Sequence, residues 1–291
     1  MPTITVILVL LSTFLHAGWN LLLGTQKTSY MLLHISLIIF LAGIGPVLLV
    51  EYWGEPLPTQ VWGYLIVAGI FQAIYSLGLT RGYQNGDFTV VYPIARALPI
   101  LILAVIDVLR GYGPSPVAWL GMILVLTGCL MVPQRSLQNL HLSHYLNRAM
   151  FWVFVTAMGT IGYTVVDNAA AAYLPAGPGA AARYGIFEFG SAALFYGLIL
   201  LALREPMGAG HGWRNWKLPA IGAMGLFGAY WLILWSYQLS THTSYVVALR
   251  QFSIVLGVVI GVIHFRDPAP GLRIFASLAI VTGIACIALG G

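Results

Sequence analysis

The sequence predicts an all-α integral membrane protein in which ten transmembrane helices form two inverted five-helix repeats. Of its 291 residues, 59% are hydrophobic and only 7% are charged, whereas soluble domains carry about 25% charged residues. Apolar stretches of about 20 residues, the length that crosses a bilayer, follow one another along nearly the whole chain. Similar segments also recur about 155 residues apart. This composition excludes a soluble domain, and the recurrence divides the chain into two halves.

Turn-forming residues and polar connections separate the apolar stretches. The predicted spans are 4–24, 30–50, 60–81, 87–109, 116–133, 149–172, 180–203, 218–239, 242–264 and 269–290. We expect the first span to be a retained helix rather than a signal peptide, because no Lys or Arg precedes Lys27. Segments rich in proline and glycine mark the breaks at 54–58, 111–116 and 175–178.

The polar stretch 134–148 separates an N-terminal repeat, 1–133, from a C-terminal repeat, 149–291. Residues 69–92 and 225–248 both pass through a short polar turn into a helix with a Val-Val pair. In each half an arginine follows, then a turn with proline, then a helix that contains Thr-Gly. Because an odd number of spans reverses the direction of the next repeat, we expect the two repeats to be inverted.

The distribution of Lys and Arg among the connections predicts the orientation. One side of the membrane would carry nine of them: Lys27, Arg81, Arg135, Arg148, Arg204, Arg214, Lys217, Arg266 and Arg273. The other side would carry Arg110 and Arg183. The positive-inside rule then places both termini outside, in a multi-pass protein of the cell inner (plasma) membrane.

The net charge of +5 does not indicate a nucleic-acid partner, because the basic residues are dispersed singly. No zinc-ligand spacing or P-loop occurs, so we expect no metal, no cofactor and no ATP-driven step. Cys129 and Cys286 lie in apolar stretches and are expected to pack rather than to form a disulfide. The expected partners are a small-molecule substrate and membrane lipid, and the protein would be a monomer or homodimer.

Two arginines in corresponding apolar stretches are the strongest indication of a functional site. Arg96 and Arg250 each lie roughly 13 Å into a predicted span, at 1.5 Å per residue. A charge near the membrane centre costs roughly 3 kcal/mol on insertion scales and usually faces a cavity or a partner. The two guanidinium groups would bind a carboxylate or phosphate of the substrate. The alternative is a structural ion pair with Asp107, Asp167 or Glu188.

Polar neighbours extend this candidate site along the fourth span. Tyr92 lies four residues before Arg96 and therefore on the same helix face. Pro93 and Pro99 are expected to interrupt the helix and to free backbone carbonyls that line a cavity.

The first span carries a second polar face. His16 and Asn20 are four residues apart, with Trp19 beside them. A histidine inside a membrane span can titrate near physiological pH or hydrogen-bond a substrate. The alternative is a histidine satisfied by a neighbouring backbone carbonyl.

Two acidic residues are candidates for proton coupling. Glu188 lies inside the seventh span with no cation in the same helix turn. Burial disfavours the charged form of a carboxylate, so this group can exchange a proton near neutral pH. It would otherwise be a permanent partner of an arginine. Asp167 is the second candidate, and its alternative role is an ion pair with Arg183.

Amide and aromatic side chains would form the wall of the substrate site. The candidates are Gln72, Tyr75, Tyr163, Tyr230, Trp231, Trp235 and Tyr237. Such a wall suits a ring, an alkyl chain or an amine held by cation–π contact. Aromatic residues in membrane helices also pack together or face lipid, which is the alternative.

Several of these motifs resemble EamA-type transporters of the drug/metabolite transporter superfamily. The resemblance lies in His16-Ala-Gly-Trp-Asn20, in Val91-Tyr92-Pro93-Ile94-Ala95-Arg96 and in Tyr245-Val-Val-Ala-Leu-Arg250. It extends over the whole ten-span pattern and implies two five-helix repeats around one substrate site. It does not identify the substrate, since members of the family move amino acids, polyamines, sugars, nucleotide sugars, choline-like cations and drugs.

We therefore expect a secondary active transporter that moves a small zwitterionic or anionic metabolite, amino acids first, by alternating access and proton-coupled export. A facilitative permease and an exporter of drugs or organic cations are the transporting alternatives. A membrane receptor and an intramembrane enzyme are the others. We do not expect an enzyme, because an enzyme would require a clustered catalytic motif and none is present.

Overall fold

The computed structural model describes residues 1–24, 28–86, 88–132, 134, 148–208, 216–264 and 270–290. Within these ranges, the side chains of 20–24, 88–90, 92, 93, 260–264 and 270 are not described. The predicted linker 134–148 therefore falls almost entirely outside the described residues.

Every regular element in the described ranges is an α-helix. The helices are α1 (Thr3–Gly24), α2 (Tyr30–Trp53), α3 (Thr59–Asn85), α4 (Phe88–Leu109), α5 (Pro116–Met131), α6 (Arg148–Ala171), α7 (Pro178–Ala202), α8 (Lys217–Tyr237), α9 (Thr243–Leu249), α10 (Phe252–His264) and α11 (Pro270–Gly290). Each predicted span coincides with a helix to within four residues at either end, except that the ninth span is divided into α9 and α10.

Among the described residues, six helices are long and apolar enough to cross a membrane, namely α2, α3, α6, α7, α8 and α11. The outward faces of the bundle are apolar as well. Val117, Leu120 and Ile123 form an exposed stripe on α5, and Phe275 and Leu278 do so on α11. Exposed apolar faces of this extent belong in lipid rather than in water. The chain is therefore an all-helical, multi-pass membrane protein.

Helices from the two halves of the chain are interleaved. The most extensive packing joins α3 to α6, α5 to α11, α1 to α8, α3 to α7 and α2 to α7. Each of these pairs combines one helix from 1–133 with one from 149–291. The protein core therefore lies between the halves.

Glycines allow α5 and α11 to approach closely. A Cβ atom added to Gly121 would lie 2.6 Å from the carbonyl oxygen of Gly283. A Cβ added to Gly128 would lie 2.6 Å from the carbonyl oxygen of Ala276. Small residues at such crossings let two helix backbones come into van der Waals contact.

Successive helices alternate between two ends of the bundle. Face A, as we name it, contains residues 1–2, 54–58, 110–115, 172–177 and 238–242. Face B contains residues 28–29, 86, 203–208 and 216.

Among the residues that the structure describes, one ion pair lies near each face. Arg183 of α7 and Glu51 of α2 are 2.6 Å apart beside face A. Arg81 of α3 and Glu205, just after α7, are 2.5 Å apart beside face B. The alternative role of Asp167, an ion pair with Arg183, is therefore not observed, because Arg183 pairs with Glu51.

The interruption predicted at Pro93 and Pro99 is also wrong. Helix α4 continues through both prolines, and the break lies instead at Arg250 and Gln251, between α9 and α10. Prolines are tolerated in membrane helices where neighbouring groups satisfy the freed carbonyls.

Asp107 of α4 fixes the beginning of the short helix α9. Its Oδ2 accepts hydrogen bonds from the backbone N and the hydroxyl of Ser244, at 2.8 and 2.5 Å. Its Oδ1 accepts from the backbone N of Thr243, at 3.3 Å, and from the Thr243 hydroxyl. A carboxylate at a helix N-terminus satisfies donors that lack a partner within the helix. Asp107 therefore has a structural role rather than one in an ion pair.

Candidate functional site

The two arginines that the sequence singles out come together at the break between α9 and α10. Arg96 extends from α4 and donates from Nη2 to the carbonyl oxygen of Arg250, at 3.2 Å. Its Nε donates to Oε1 of Gln251, at 3.1 Å. The last carbonyls of a helix lack intrahelical donors and carry a partial negative charge. Arg96 thus stabilises the C-terminal end of α9, while Nε2 of Gln251 donates to the carbonyl of Val247, at 2.7 Å.

His16 connects this break to α1. Nη1 of Arg96 donates to Nε2 of His16, at 2.6 Å. The indole nitrogen of Trp19 lies 3.1 Å from Nδ1 of the same ring, in a perpendicular arrangement. A neutral imidazole has one accepting nitrogen and one N–H group. Both neighbours are donors, so only one of these two contacts can be a hydrogen bond accepted by a neutral His16 ring.

Arg250 lies in the core with only 5% of its surface exposed. In the described ranges, the arginines within 4.0 Å of a carboxylate are Arg81 and Arg183. Neither Arg250 nor Arg96 therefore forms an ion pair with Asp107, Asp167 or Glu188. The structural ion pairs considered as alternatives for these arginines are therefore not observed. Nε of Arg250 is buried and has no hydrogen-bond partner among the described residues.

Tyrosines surround the Arg250 guanidinium. Its principal electrostatic neighbours are Tyr163, Tyr237, Tyr230 and Tyr75. Tyr75 and Tyr163 pack edge to face with ring centroids 5.7 Å apart, and Tyr163 and Tyr230 do so at 5.8 Å. Phenol oxygens lower the cost of burying a cation without neutralising it.

Tyr230, one of the tyrosines near Arg250, also contacts two buried carboxyl groups. Asp167 and Glu188 are each 1% exposed, and both lie against the Tyr230 hydroxyl. That oxygen is 3.0 Å from Oε1 of Glu188 and in hydrogen-bond contact with Oδ2 of Asp167. Tyr184 donates to Oδ1 of Asp167, at 2.9 Å, and Gln72 donates to Oε1 of Glu188, at 3.1 Å.

A count of protons constrains the state of this acid cluster, by which we mean Asp167, Glu188 and Tyr230. A phenol has one O–H and cannot donate to two carboxylates at once. If one carboxyl carries a proton on the oxygen facing Tyr230, it donates to the phenol oxygen, and the phenol donates to the other carboxyl. Oε2 of Glu188 is buried without a partner in the described residues, which would be costly for an ionised group. The cluster is therefore satisfied when its two carboxyls share one proton.

The remaining predicted site residues lie elsewhere or are not described. The indole nitrogen of Trp231 donates to the carbonyl of Pro178, at 2.8 Å, at the beginning of α7. Trp235 packs, partly buried, against the hydrophobic core. The side chains of Asn20 and Tyr92 fall outside the described residues.

Two polar residues at the site were missed in the sequence. Gln251 contacts Arg96, and Tyr184 contacts Asp167. The signal for Gln251 was an uncharged polar residue directly after Arg250 in an apolar stretch. For Tyr184 there was no comparable signal, because tyrosines are frequent throughout this chain.

Comparison with known proteins shows the fold alone. No family model and no curated protein matches the chain. Among solved structures, 28 chains match. One is a crystal structure that aligns over 99% of this chain and 96% of its own, with a TM-score of 0.66 and 16% sequence identity. The fold of the whole chain is therefore similar to one determined by experiment.

Proposed function

We propose that the protein is a secondary active transporter, of the EamA type, that moves a small zwitterionic or anionic metabolite by alternating access coupled to protons. The observation that carries this proposal is the meeting of Arg96 and Arg250 at a broken helix in the protein core, without an ion pair to any of the three buried carboxylates. Discontinuous helices and buried charges mark the substrate sites of many secondary transporters.

The packing of the helices supports ten spans in two inverted repeats. Let α1, α2, α3 and α5 correspond to α6, α7, α8 and α11, and let α4 correspond to α9 with α10. The contacts of α3 with α6 and α7 then become those of α8 with α1 and α2, which are also present. The pairs α2–α7, α4–α9 and α5–α11 map onto themselves, as a two-fold axis in the membrane plane requires.

The crossing of α5 and α11 has the same symmetry at the level of single residues. Gly121 corresponds to Ala276 and Gly128 to Gly283, each about 155 residues later. Exchanging the members of each pair converts the Gly121–Gly283 contact into the Gly128–Ala276 contact, and both contacts are close. An antiparallel crossing of equivalent helices has this property.

The two arginines at the helix break, and the buried Nε of Arg250 without a partner among the described residues, favour a carboxylate as the group that binds there. A carboxylate has two oxygens and about four lone-pair directions, and it matches a guanidinium in geometry. Bound near Arg250 and Arg96, it would accept charge-assisted hydrogen bonds from the guanidinium groups. Two cations and one anion would then be buried together at lower cost than the cations alone.

The acid cluster suits the ammonium group of a zwitterion such as an amino acid. With both carboxyls ionised, Asp167 and Glu188 would attract that ammonium; with the shared proton in place, they would release it. Proton and substrate would thus compete for one cluster, which is the condition for exchange of substrate against protons. Arg96 and Arg250 would hold the carboxylate of the same molecule.

The positive-inside rule supports an orientation in which face B lies on the cytoplasmic side of the membrane. Arg81, Arg148, Arg204, Lys217 and Arg273 lie at the ends of helices on this side. The basic residues on the opposite side are Arg110 and Arg183, and both termini lie there too. The other predicted inside residues, Lys27, Arg135, Arg214 and Arg266, are outside the described side chains. Localisation in the plasma membrane is part of the same proposal.

The experiment that tests the proposal measures internal pH in proteoliposomes while candidate substrates are added outside. The panel contains amino acids, dicarboxylic acids and organic cations, and the wild type is compared with Glu188→Gln. The matched control is Glu55→Gln, which removes an exposed carboxylate in the face A loop. We expect a pH change with at least one amino acid, lost in Glu188→Gln and retained in the control.

Each other outcome contradicts a stated part of the proposal. Tracer uptake without a pH change would indicate a facilitative permease. A response to organic cations alone would exclude the carboxylate site at Arg96 and Arg250. Absence of any flux across the whole panel, with the protein folded and inserted, would exclude transport of this substrate class.

A further inference from the structure

A cavity of 580 Å³ lies at face A, outside the site described above. It is bounded by the connection after α4, the end of α6 and the connection between α8 and α9. The lining residues that bear on its chemistry are Arg110, Tyr112, Asn168, Tyr237, Thr241 and His242. We call this cavity the vestibule.

The vestibule has a positive side chain and no acidic one in its described lining. Nη1 of Arg110 donates to Oδ1 of Asn168, at 2.8 Å, and the guanidinium carbon lies 5.9 Å from the ring centre of Tyr112. A guanidinium has five N–H donors, so this contact leaves most of them available to a ligand. Asp107, one helix turn away, directs both oxygens to Thr243 and Ser244.

His242 adds a hydrogen-bonding group rather than a second charge. Its ring is stacked on Tyr245, with centroids 4.3 Å apart and planes within 6°. Burial lowers the pKa of His242, and the nearby Asp107 carboxylate only partly opposes this effect. The ring is therefore neutral at pH 7, and its Nδ1 lies 3.2 Å from the hydroxyl of Thr241.

The inner wall of the vestibule adjoins the buried site. Tyr237 lines the cavity and is also one of the tyrosines around Arg250. Asn168, which holds Arg110, directly follows Asp167 in α6. Tyr237 and the Asp167–Asn168 segment of α6 thus connect the vestibule with the buried site.

We propose that the vestibule is a second anion site, in which Arg110 binds the carboxylate of a small metabolite on its way between face A and the buried arginines. This assignment rests on the proposed transport function for its physiological role, but the anion preference of the cavity does not. A charge at the mouth of a site raises the local concentration of oppositely charged ligands and their rate of entry.

A thiol placed in the vestibule tests its anion preference without any transport. Thr241→Cys puts the thiol on an exposed lining residue. The protein is treated with two methanethiosulfonate reagents of similar size, one with a sulfonate and one with a trimethylammonium group. The parent protein gives the background, since Cys129 is buried and Cys286 half-buried.

We expect the negative reagent to react faster than the positive one, and Arg110→Gln to lower this ratio about fivefold at low salt. Arg148→Gln, which removes the same charge from face B, should leave the ratio unchanged. An equal ratio in the proteins with and without Arg110 would overturn the vestibule assignment, whether or not the protein transports anything.

The transport assay then tests the physiological role. For the amino acid that gives the largest wild-type flux, Arg110→Gln should raise KM about tenfold and change the maximal rate less than twofold. Wild-type flux with an unchanged KM in Arg110→Gln would overturn the role of the vestibule alone. Lack of wild-type flux would instead overturn the proposed function.

Discussion

At the scale of single residues, the hydroxyl of Tyr230 is the group through which the two buried carboxyls interact. Asp167 and Glu188 come from α6 and α7, and the phenol from α8 lies between them. Two ionised carboxylates this close would repel each other in a medium of low dielectric constant. Because the phenol contacts both carboxyls, a single proton on one of them satisfies the hydrogen bonds of the pair. Protonation of one carboxyl therefore depends on the state of the other.

We predict that Tyr230→Phe uncouples transport from protons without unfolding the protein. The ring remains and continues to pack, but each carboxyl loses its link to the other, so a proton on one no longer stabilises the second. The substrate-dependent change of internal pH in proteoliposomes should fall at least about tenfold, the size of effect expected for one buried, charge-assisted hydrogen bond.

Tyr184→Phe is the matched control for this prediction. It removes one donor from Asp167 but leaves the Tyr230 hydroxyl between the two carboxyls in place. It should retain most of the coupled flux. Full coupling in Tyr230→Phe, or equal loss in both variants, would contradict a special role for the shared proton.

The residues of the candidate site were predictable from their chemistry, but their contacts were not. Arg96, Arg250 and Glu188 stand out because a charged side chain inside an apolar stretch is costly. Position along the sequence gives the depth of a residue in the membrane, but not the neighbour toward which it turns. The arginine–carboxylate pairs considered as the alternative are not observed, and the structure instead gives each charge its own group of polar partners.

At the scale of elements, the short helix α9 depends on Asp107 for its first turn. The helix has only 7 residues, too few to be stable alone. We predict that Asp107→Asn lowers thermal stability in detergent, because an amide can accept at only one of its two positions. Loss of hydrogen bonds to a charged group costs about 1.5–3 kcal/mol. An unchanged melting temperature relative to Glu55→Gln, an exposed control, would contradict this role.

The crossing of α5 and α11 should tolerate almost no added volume at Gly121. The Cβ of Gly121→Ala would lie 2.6 Å from a backbone oxygen, which cannot move aside as a flexible side chain can. We expect a loss of about 1–3 kcal/mol of stability, typical of an overpacked core. Gly63→Ala in α3 is the control, because its Cβ meets nothing within 4 Å. There the substitution should be neutral or stabilise by about 0.5–1 kcal/mol. Equal melting temperatures for the two variants would contradict the close crossing.

The helix break at Arg250 and Gln251 shows where sequence signals are insufficient. Two prolines predicted a break in α4, yet that helix is continuous. The break occurs instead in a segment without proline or glycine. The break is stabilised by a tertiary contact, since Arg96 of α4 donates to the carbonyl of Arg250 at the end of α9. Such stabilisation is absent from the local sequence and depends on the packing of α4 against α9.

At the scale of the whole molecule, the limits of the spans were predictable because each obeys a local rule. Apolar length, turn residues and aliphatic composition locate helices without knowledge of their neighbours. The pairing of helices across the two halves obeys no such rule. It becomes apparent only in the packing, where α3 lies against α6 and α1 lies against α8.

The two ion pairs near the ends of α7 tie this helix to the first half of the chain at both faces. At face A the vestibule lies beside the buried site, whereas at face B the Arg81–Glu205 pair bridges α3 and the end of α7. The hydroxyl of Ser29 also donates to Glu205, at 3.2 Å, and Gln84 donates to Ser29, at 3.3 Å. This network joins three segments at face B and would have to separate for the buried site to reach that side.

We therefore predict that weakening the network opens face B. Glu205→Gln should raise the reactivity of a thiol at Thr80→Cys toward a membrane-impermeant reagent supplied from face B, because residue 80 is only 7% exposed behind the network. The side chains of Arg81 and Glu205 are 27% and 21% exposed, and a partly exposed pair contributes up to about 1 kcal/mol. The increase in rate should accordingly be about two- to fivefold. Exchanging the charges, with Arg81→Glu and Glu205→Arg together, should return the rate toward that of the parent. If Glu205→Gln leaves the rate unchanged while its melting temperature falls, the pair stabilises the fold and does not control access to face B.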